Sequence, residues 1–220
     1  MKIGTYRFTQ ILAVIDRSIG IQVRELTTPN ELKHAYNLRF NVYSNAGHID
    51  QSEFQAPMLS DVWDEYSTVL GAFSASGELV GTVRLTTFDP FSFPSDNIFI
   101  TKYPFDISKA IEIGKFAISM NGLLKNRLIS FSLTLKAALI SQEMGYEHWV
   151  FSTTKKLKCS FEQLGSKIYD LSSQLRPISD IKDICSNWQM FEKMPEEYFY
   201  LKLNELKPNI KKQLTYARAG

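Results

Sequence analysis

Residues Ser67 to Phe88 read STVLGAFSASGELVGTVRLTTF, and this stretch decides the fold class. Ser67 to Ser74 and Glu78 to Phe88 are rich in Val, Leu, Thr and Phe, residues that suit a pleated, half-buried surface. Ser76 and Gly77 between them supply the small residues of a tight hairpin. The second run also carries Arg84. A charge in a half-buried strand is paired or functional, so its partners are sought in the flanking sequence.

Upstream, Ile21 to Leu26 alternates like a strand, and Thr28, Pro29 and Asn30 open a helix over Glu31 to Tyr43. Arg39 and Tyr43, four residues apart, share a face of that helix. Ser44 to Leu59 has no clean period and reads as a loop; it leads to Asp61 and Asp64. Downstream, an irregular aromatic crossing from Asp89 to Pro104 precedes a strand over Ala110 to Ser119. That strand holds Glu112 and Lys115, and Gly114 in its middle marks an expected bulge.

The strongest helical pattern is Arg127 to Met144, where Ile129, Leu133, Ala137, Ile140 and Met144 form one stripe and Gly145 supplies the stop. His148 to Ser152 reads as a core strand. Lys155 to Leu164 reads as a helix closed by Gly165, Lys167 to Leu171 as a strand, and Tyr198 to Leu203 as a late aromatic strand. The plan is α/β (α+β), a mixed sheet flanked by helices. One domain over residues 1–220 is expected, with 1–20 an N-terminal extension and 172–220 a C-terminal loop, strand and tail.

Composition narrows the function classes. Lys and Arg total 25 against 23 Asp and Glu, a net charge of +2, which argues against a dedicated nucleic-acid binder. Cys159 and Cys185 are too few for a disulfide framework or a zinc site, and His34, His48 and His148 show no metal spacing, so no metal is expected. The apolar stretch Ile11 to Ile15 is short and followed by Asp16 and Arg17, unlike a signal peptide, and no apolar run approaches bilayer length. The expected setting is cytoplasmic, without stable membrane insertion.

The polar residues fall into words that recur in order: Leu38-Arg39-Phe40-Asn41-Val42-Tyr43, Asp61-Val62-Trp63-Asp64-Glu65-Tyr66, Val80-Gly81-Thr82-Val83-Arg84-Leu85 and Glu112-Ile113-Gly114-Lys115-Phe116-Ala117. Their order and spacing resemble the acyl-homoserine-lactone (autoinducer) synthases and the long-chain N-acyl amino acid synthases, within the GNAT-like acyltransferases. The resemblance runs from Glu31 to Leu171. Two departures matter. Lys115 stands where the family more often has arginine, and Ile49 where autoinducer synthases usually place a tryptophan, which leans the reading toward N-acyl amino acid synthases. Asn121 to Asn126 also lacks the glycine turn with which ordinary GNAT enzymes hold coenzyme A, so an acyl carrier protein is the favoured donor.

The resemblance implies a GNAT-like fold and a bacterial N-acyltransferase that moves a fatty acyl chain from acyl carrier protein, or acyl-CoA, to the amine of an amino acid or derivative. No bound cofactor is implied; the thioester is a co-substrate. An acyl-homoserine-lactone synthase using S-adenosylmethionine and a non-catalytic acyl-carrier or lipid-binding module remain the alternatives. Glu112, flanked by Ile111 and Ile113, is the expected base, because an apolar setting raises a carboxyl pKa toward the working range. Backbone N–H groups freed near Gly114 would stabilise the oxyanion. Arg39, Tyr43, Arg84 and Lys115 would hold the amine substrate; Asp61 and Asp64 would bind its amine or orient those cations. Phe88, Phe91, Phe93, Phe99, Tyr103 and Phe105 would line the acyl chain. Lys125, Arg127, Lys155, Lys156 and Lys158 would receive an acidic carrier protein. For each of these groups an ordinary structural role competes: a rim ion pair, a helix cap, a core aromatic, a solvated face.

Overall fold

The computed structural model describes residues 3–87, 102–119, 123–153, 158, 161–162, 165, 167–174 and 197–207. Its elements run α1 (Ile3–Ile19), β1 (Gln22–Glu25), α2 (Pro29–Asn45), β2 (Ser67–Phe73), β3 (Leu79–Thr87), β4 (Ala110–Ile118), α3 (Leu123–Glu143), β5 (His148–Thr153), β6 (Tyr169–Asp170) and β7 (Glu197–Lys202). The strands form a 7-stranded sheet in the order β1-β2-β3-β4-β5-β7-β6. Among the described residues β4 and β5 alone pair in parallel; the other neighbours are antiparallel.

The hairpin forms where its sequence places it. Gly77 adopts a positive φ of 80°, open to glycine at no steric cost, and its N–H donates to the Ser74 carbonyl. Leu70, Ala72, Val83, Leu85, Ile111 and Ile113 then face the main core with α1 and α3. Gly81 admits α3 against this face: a methyl group there would stand 2.8 Å from Ile129 Cγ2, closer than packing allows. Residues of the opposite parity face α2. Leu26, Ala35 and Val69 form a smaller apolar cluster on that side.

Several expectations need correction. Residues 1–20 include a full helix, whose Phe8, Ile11 and Ile15 are buried in the main core. Their spacing of three and four is the helical stripe that marks it in the sequence. Helix α3 starts at Leu123, four residues before the expected Arg127, because the apolar stripe begins later than the helix. The expected strand at Lys167 to Leu171 pairs only over Tyr169–Asp170. Of the helix expected at Lys155 to Leu164, Lys158, Phe161 and Glu162 are helical and the remainder lies outside the described residues.

Pairing between β4 and β5 covers Ala110–His148, Ile111–Trp149 and Glu112–Val150. Strand β4 remains paired with β3 as far as Ile118. Beyond Glu112, one edge of β4 has no strand partner among the described residues.

Candidate active site

Helix α2 is aimed by its first turn. The Thr28 hydroxyl accepts from the Glu31 N–H while the Glu31 carboxylate accepts from the Thr28 N–H, a reciprocal cap, and Glu31 also pairs with Arg24 of β1 at 2.6 Å. These bonds hold Glu31 well below the usual carboxylate range, at about 2, with the Arg24 bond the largest cause. Three turns on, Arg39 is fully buried, and its Nη1 donates to Asp64 Oδ1 at 2.7 Å.

Asp61 and Asp64 serve the backbone and the cations together. Asp61 Oδ1 accepts the Trp63 N–H at 3.0 Å, and Asp64 Oδ2 accepts the Asp61 N–H at 3.0 Å, so the spacing of three closes a capping box on the short 3-10 helix Val62–Tyr66. The same carboxylates receive Arg84 Nη1, at 2.5 Å to Asp61 Oδ1 and 3.4 Å to Asp64 Oδ2. Lys115 Nζ lies 3.1 Å from Asp61 Oδ2. One network thus ties α2, the 3-10 helix, β3 and β4. Asp61 and Asp64 are thus each paired with the cations expected beside them.

The electrostatics follow from this pairing. Burial pushes the Asp61 carboxyl up, but Lys115 and Arg84 outweigh it and bring it down to about 2. Burial likewise opposes the Arg84 charge, and Asp61, Asp64 and Glu112 overcome it, raising its pKa above the ordinary value. The accessible end of the network is Lys115 and Asp61, whose side chains are 19% and 30% exposed, against 2% or less for Arg39 and Arg84.

Strand β4 does bulge beside Gly114, but not through that glycine. Thr82 pairs with Ala117 and Arg84 with Gly114, which leaves Lys115 and Phe116 together opposite Val83. The left-handed residue is Lys115, with φ 50°. An L residue pays about 1–2 kcal/mol for that conformation. The Nζ bond to Asp61 is what it gains there. Gly114 has no positive φ, and among the described residues the one atom that a methyl group there would approach is Glu112 Oε1, at 3.6 Å. Glu112 therefore lies along β4 toward Gly114, and Gly114 is the register partner of Arg84.

Glu112 is also the last β4 residue paired with β5, opposite Val150. On the far side, the same sheet face becomes apolar. Ala110, Val150, Leu171 and Tyr198 are buried together, with Tyr103, Phe105, Ile107 and Tyr200 packed on them. Phe105 stacks on His148 at 4.3 Å, and Tyr200 on Tyr169 at 4.8 Å. Burial pushes the His148 pKa down. Tyr103 and Phe105 thus belong to a packed cluster; Phe88, Phe91, Phe93 and Phe99 lie outside the described residues.

Tyr43 is half-buried. It packs with Phe54 against buried Phe40, Ile49 and Leu59, and its ring meets His48 edge-on at 5.8 Å. Of the expected carrier-docking residues, Arg127 is exposed, while Lys158 is half-buried with Nζ 4.5 Å from the centre of the Phe199 ring. The Lys125 side chain, Lys155 and Lys156 lie outside the described residues. A residue the sequence did not single out is Tyr36, whose ring centre lies 5.4 Å from the Arg39 guanidinium carbon. Its position three before Arg39, on the same helix face, was the available signal. Among the described residues no group of three His, Cys, Asp or Glu side chains is disposed to hold a metal, and no helix is long and apolar enough to cross a membrane.

Comparison with known proteins connects this geometry to a family. Residues 34–166 match the family model of the N-acyl amino acid synthase FeeM. The solved FeeM, an N-acyl amino acid synthase from uncultured soil microbes, superposes with a TM-score of 0.57 at 17% identity, covering 84% of this chain and 92% of that one. MesI, a CoA-dependent acyl-homoserine lactone synthase, gives 0.59 at 14% identity over 90% of this chain and 96% of that chain. An acetyltransferase of the GNAT family from Staphylococcus aureus Mu50 gives 0.52 at 13% identity over 83% and 99%. No curated protein matches the sequence. The mixed sheet flanked by helices is the GNAT fold.

Proposed function

The chain belongs to the FeeM family of N-acyl amino acid synthases, and on that premise we propose that it transfers a fatty acyl group from a thioester to the amine of an amino acid or derivative. The observation that carries this reading is the position of Glu112. It lies at the last registered pair between β4 and β5, with the ion-pair network on one side and the apolar cluster on the other.

In this reading Glu112 takes a proton from the acceptor ammonium, directly or through a water, because the protonated amine has no lone pair. The free amine attacks the thioester carbonyl. A C–N bond forms, the C–S bond breaks, and the leaving thiolate takes up the second proton, which the nitrogen sheds as it becomes an amide. The developing oxyanion is stabilised by N–H groups on the edge of β4 beyond Glu112, where the bulge and the parting from β5 leave them available. Asp61 and Lys115 meet the acceptor first, since they are the exposed end of the network. Arg39, Asp64 and Arg84 keep that end in place from beneath. The acyl chain runs toward the apolar half of the sheet face. Its carrier is an acyl carrier protein or coenzyme A.

The test is mass spectrometry of lipid extracts from a bacterial host expressing the chain, alongside a host expressing Glu112→Ala at matched soluble level. A new N-acyl amino acid made only by the unmodified chain is the expected result. A lactone appearing with methylthioadenosine would move the reaction to the homoserine-lactone class. Acyl-carrier binding with no product, unchanged by Glu112→Ala, would make the chain a binding module instead.

A further inference from the structure

The buried end of the network holds an unused recognition surface. Arg39 commits Nη1 to Asp64, yet its Nε and Nη2, both sealed from solvent, have no hydrogen-bond partner among the described residues. These two N–H groups form the side-on edge of the guanidinium. They are parallel donors spaced to grip a carboxylate with both oxygens. Arg84 Nε, equally buried, is unpartnered as well. Leaving such donors unmatched in a folded interior is costly, and a functional ligand is one of the standard reasons for it.

The ring that faces the Arg39 guanidinium is that of Tyr36. Its ring lies 5.4 Å from the Arg39 guanidinium carbon, it is half-buried, and its hydroxyl makes no hydrogen bond among the described residues. Burial and the Asp64 carboxylate raise the Tyr36 pKa, so the phenol stays a proton donor at neutral pH. A phenol donor thus belongs to the ring that faces a guanidinium with two unmatched N–H donors. All three ask for an acceptor.

Resting on the function proposed above, we propose that Tyr36 is a substrate-positioning residue of the acceptor subsite: its ring closes the free edge of Arg39 while the subsite is empty, and its hydroxyl hydrogen-bonds the acceptor carboxylate once that carboxylate grips the edge. Arg39 is fully buried and bonded to Asp64, whereas Tyr36 is only half-buried. The residue thus acts on acceptor binding and not on the acyl donor or the chemical step.

The experiment compares the unmodified chain with Tyr36→Phe and Lys115→Met, using the amine and acyl donor identified from the lipid extracts. Tyr36→Phe keeps the ring on Arg39 and removes only the hydroxyl. The expected result is an acceptor KM raised about tenfold or more, the usual effect of losing a hydrogen bond to a charged group. The donor KM and kcat should stay within about twofold, with an unchanged melting temperature. A purely structural Tyr36 would leave that split absent. If Tyr36→Phe matches the unmodified chain while Lys115→Met raises the acceptor KM, the role of Tyr36 is overturned and the acyltransferase reading stands. If neither variant alters the acceptor KM, the acceptor does not bind at this network and the role of Tyr36 is overturned while acyl transfer stands; if the unmodified chain acylates no amine, the acyltransferase reading falls and Tyr36 falls with it.

Discussion

One face of the sheet is divided between two kinds of chemistry. Over β3 and β4 it is held by Arg84, Asp61, Asp64 and Lys115, side chains joined charge to charge. Over β5, β6 and β7 it is held by Val150, Leu171, Tyr198 and Tyr200, joined by area and ring contacts. Cohesion comes cheaply on the apolar half, since every buried methylene helps. Buried charges gain little net stability, because desolvation consumes most of their attraction. A charged half is kept for where it puts its groups. Glu112 stands on the boundary, where under the proposed function each half would deliver one substrate.

The largest expected effect comes from unbalancing the charged half. Asp64→Leu strands the guanidinium of Arg39 in the interior, and urea unfolding should show a loss of about 3–5 kcal/mol. Replacing both partners, as in Arg39→Met with Asp64→Leu, should recover most of that stability without restoring acyl transfer. If the double variant is active, the network is only structural and the contrast between the halves fails.

Next in size is the apolar half. Leu171 is 1% exposed, and Leu171→Ala should cost about 2–4 kcal/mol in the same measurement. That loss should be nearly independent of pH, and acceptor KM should be little changed. A large rise in acceptor KM would mean that the two halves do not divide the substrates between them.

A smaller effect separates the halves by pH. The Asp61 carboxyl titrates near 2 when folded against 3.8 as its ordinary value, so it favours folding fully above about pH 4. That contribution disappears as the pH falls toward 2. Asp61→Asn should therefore flatten the acid limb of stability in this window and leave the difference between variants constant above it. An unchanged acid limb would assign acid sensitivity to other carboxylates, such as Glu31.

The smallest effect belongs to the glycine of the β4 motif. Gly114→Ala should change stability by less than about 1 kcal/mol, because the added methyl group meets only Glu112 Oε1 at ordinary contact distance. Lys115→Gly should relieve backbone strain yet weaken acceptor binding, since it removes the Nζ partner of Asp61. Unfolding curves and acceptor KM check both.

These residues also show what the chain makes legible before it folds. Arg39, Asp61, Asp64, Arg84 and Lys115 were readable as one polar site because charges in apolar, periodic surroundings need partners, and the fold joins them. Which carboxylate takes which cation was not readable, since it depends on the crossing of α2 over β3 and on the capping box of Val62–Tyr66. Gly114 was a misleading marker. Glycine signals tolerance of a left-handed backbone, but the position of a bulge is fixed by register with β3, and that register puts the left-handed residue at Lys115. Tyr43 shared the spacing of Arg39 but joined a neighbouring apolar cluster, because a face of a helix can span more than one environment. The strands of the hairpin were plain because β2 and β3 carry their pattern locally. The short β6 owes its pairing to β7, distant in sequence.

The most direct test of the account is the rate of acyl transfer by purified Glu112→Gln, measured against the unmodified chain with matched folding and across pH. The account requires kcat/KM to fall by about 100-fold or more, with donor binding retained. Full activity in Glu112→Gln would contradict it, leaving the boundary between the two halves without its base.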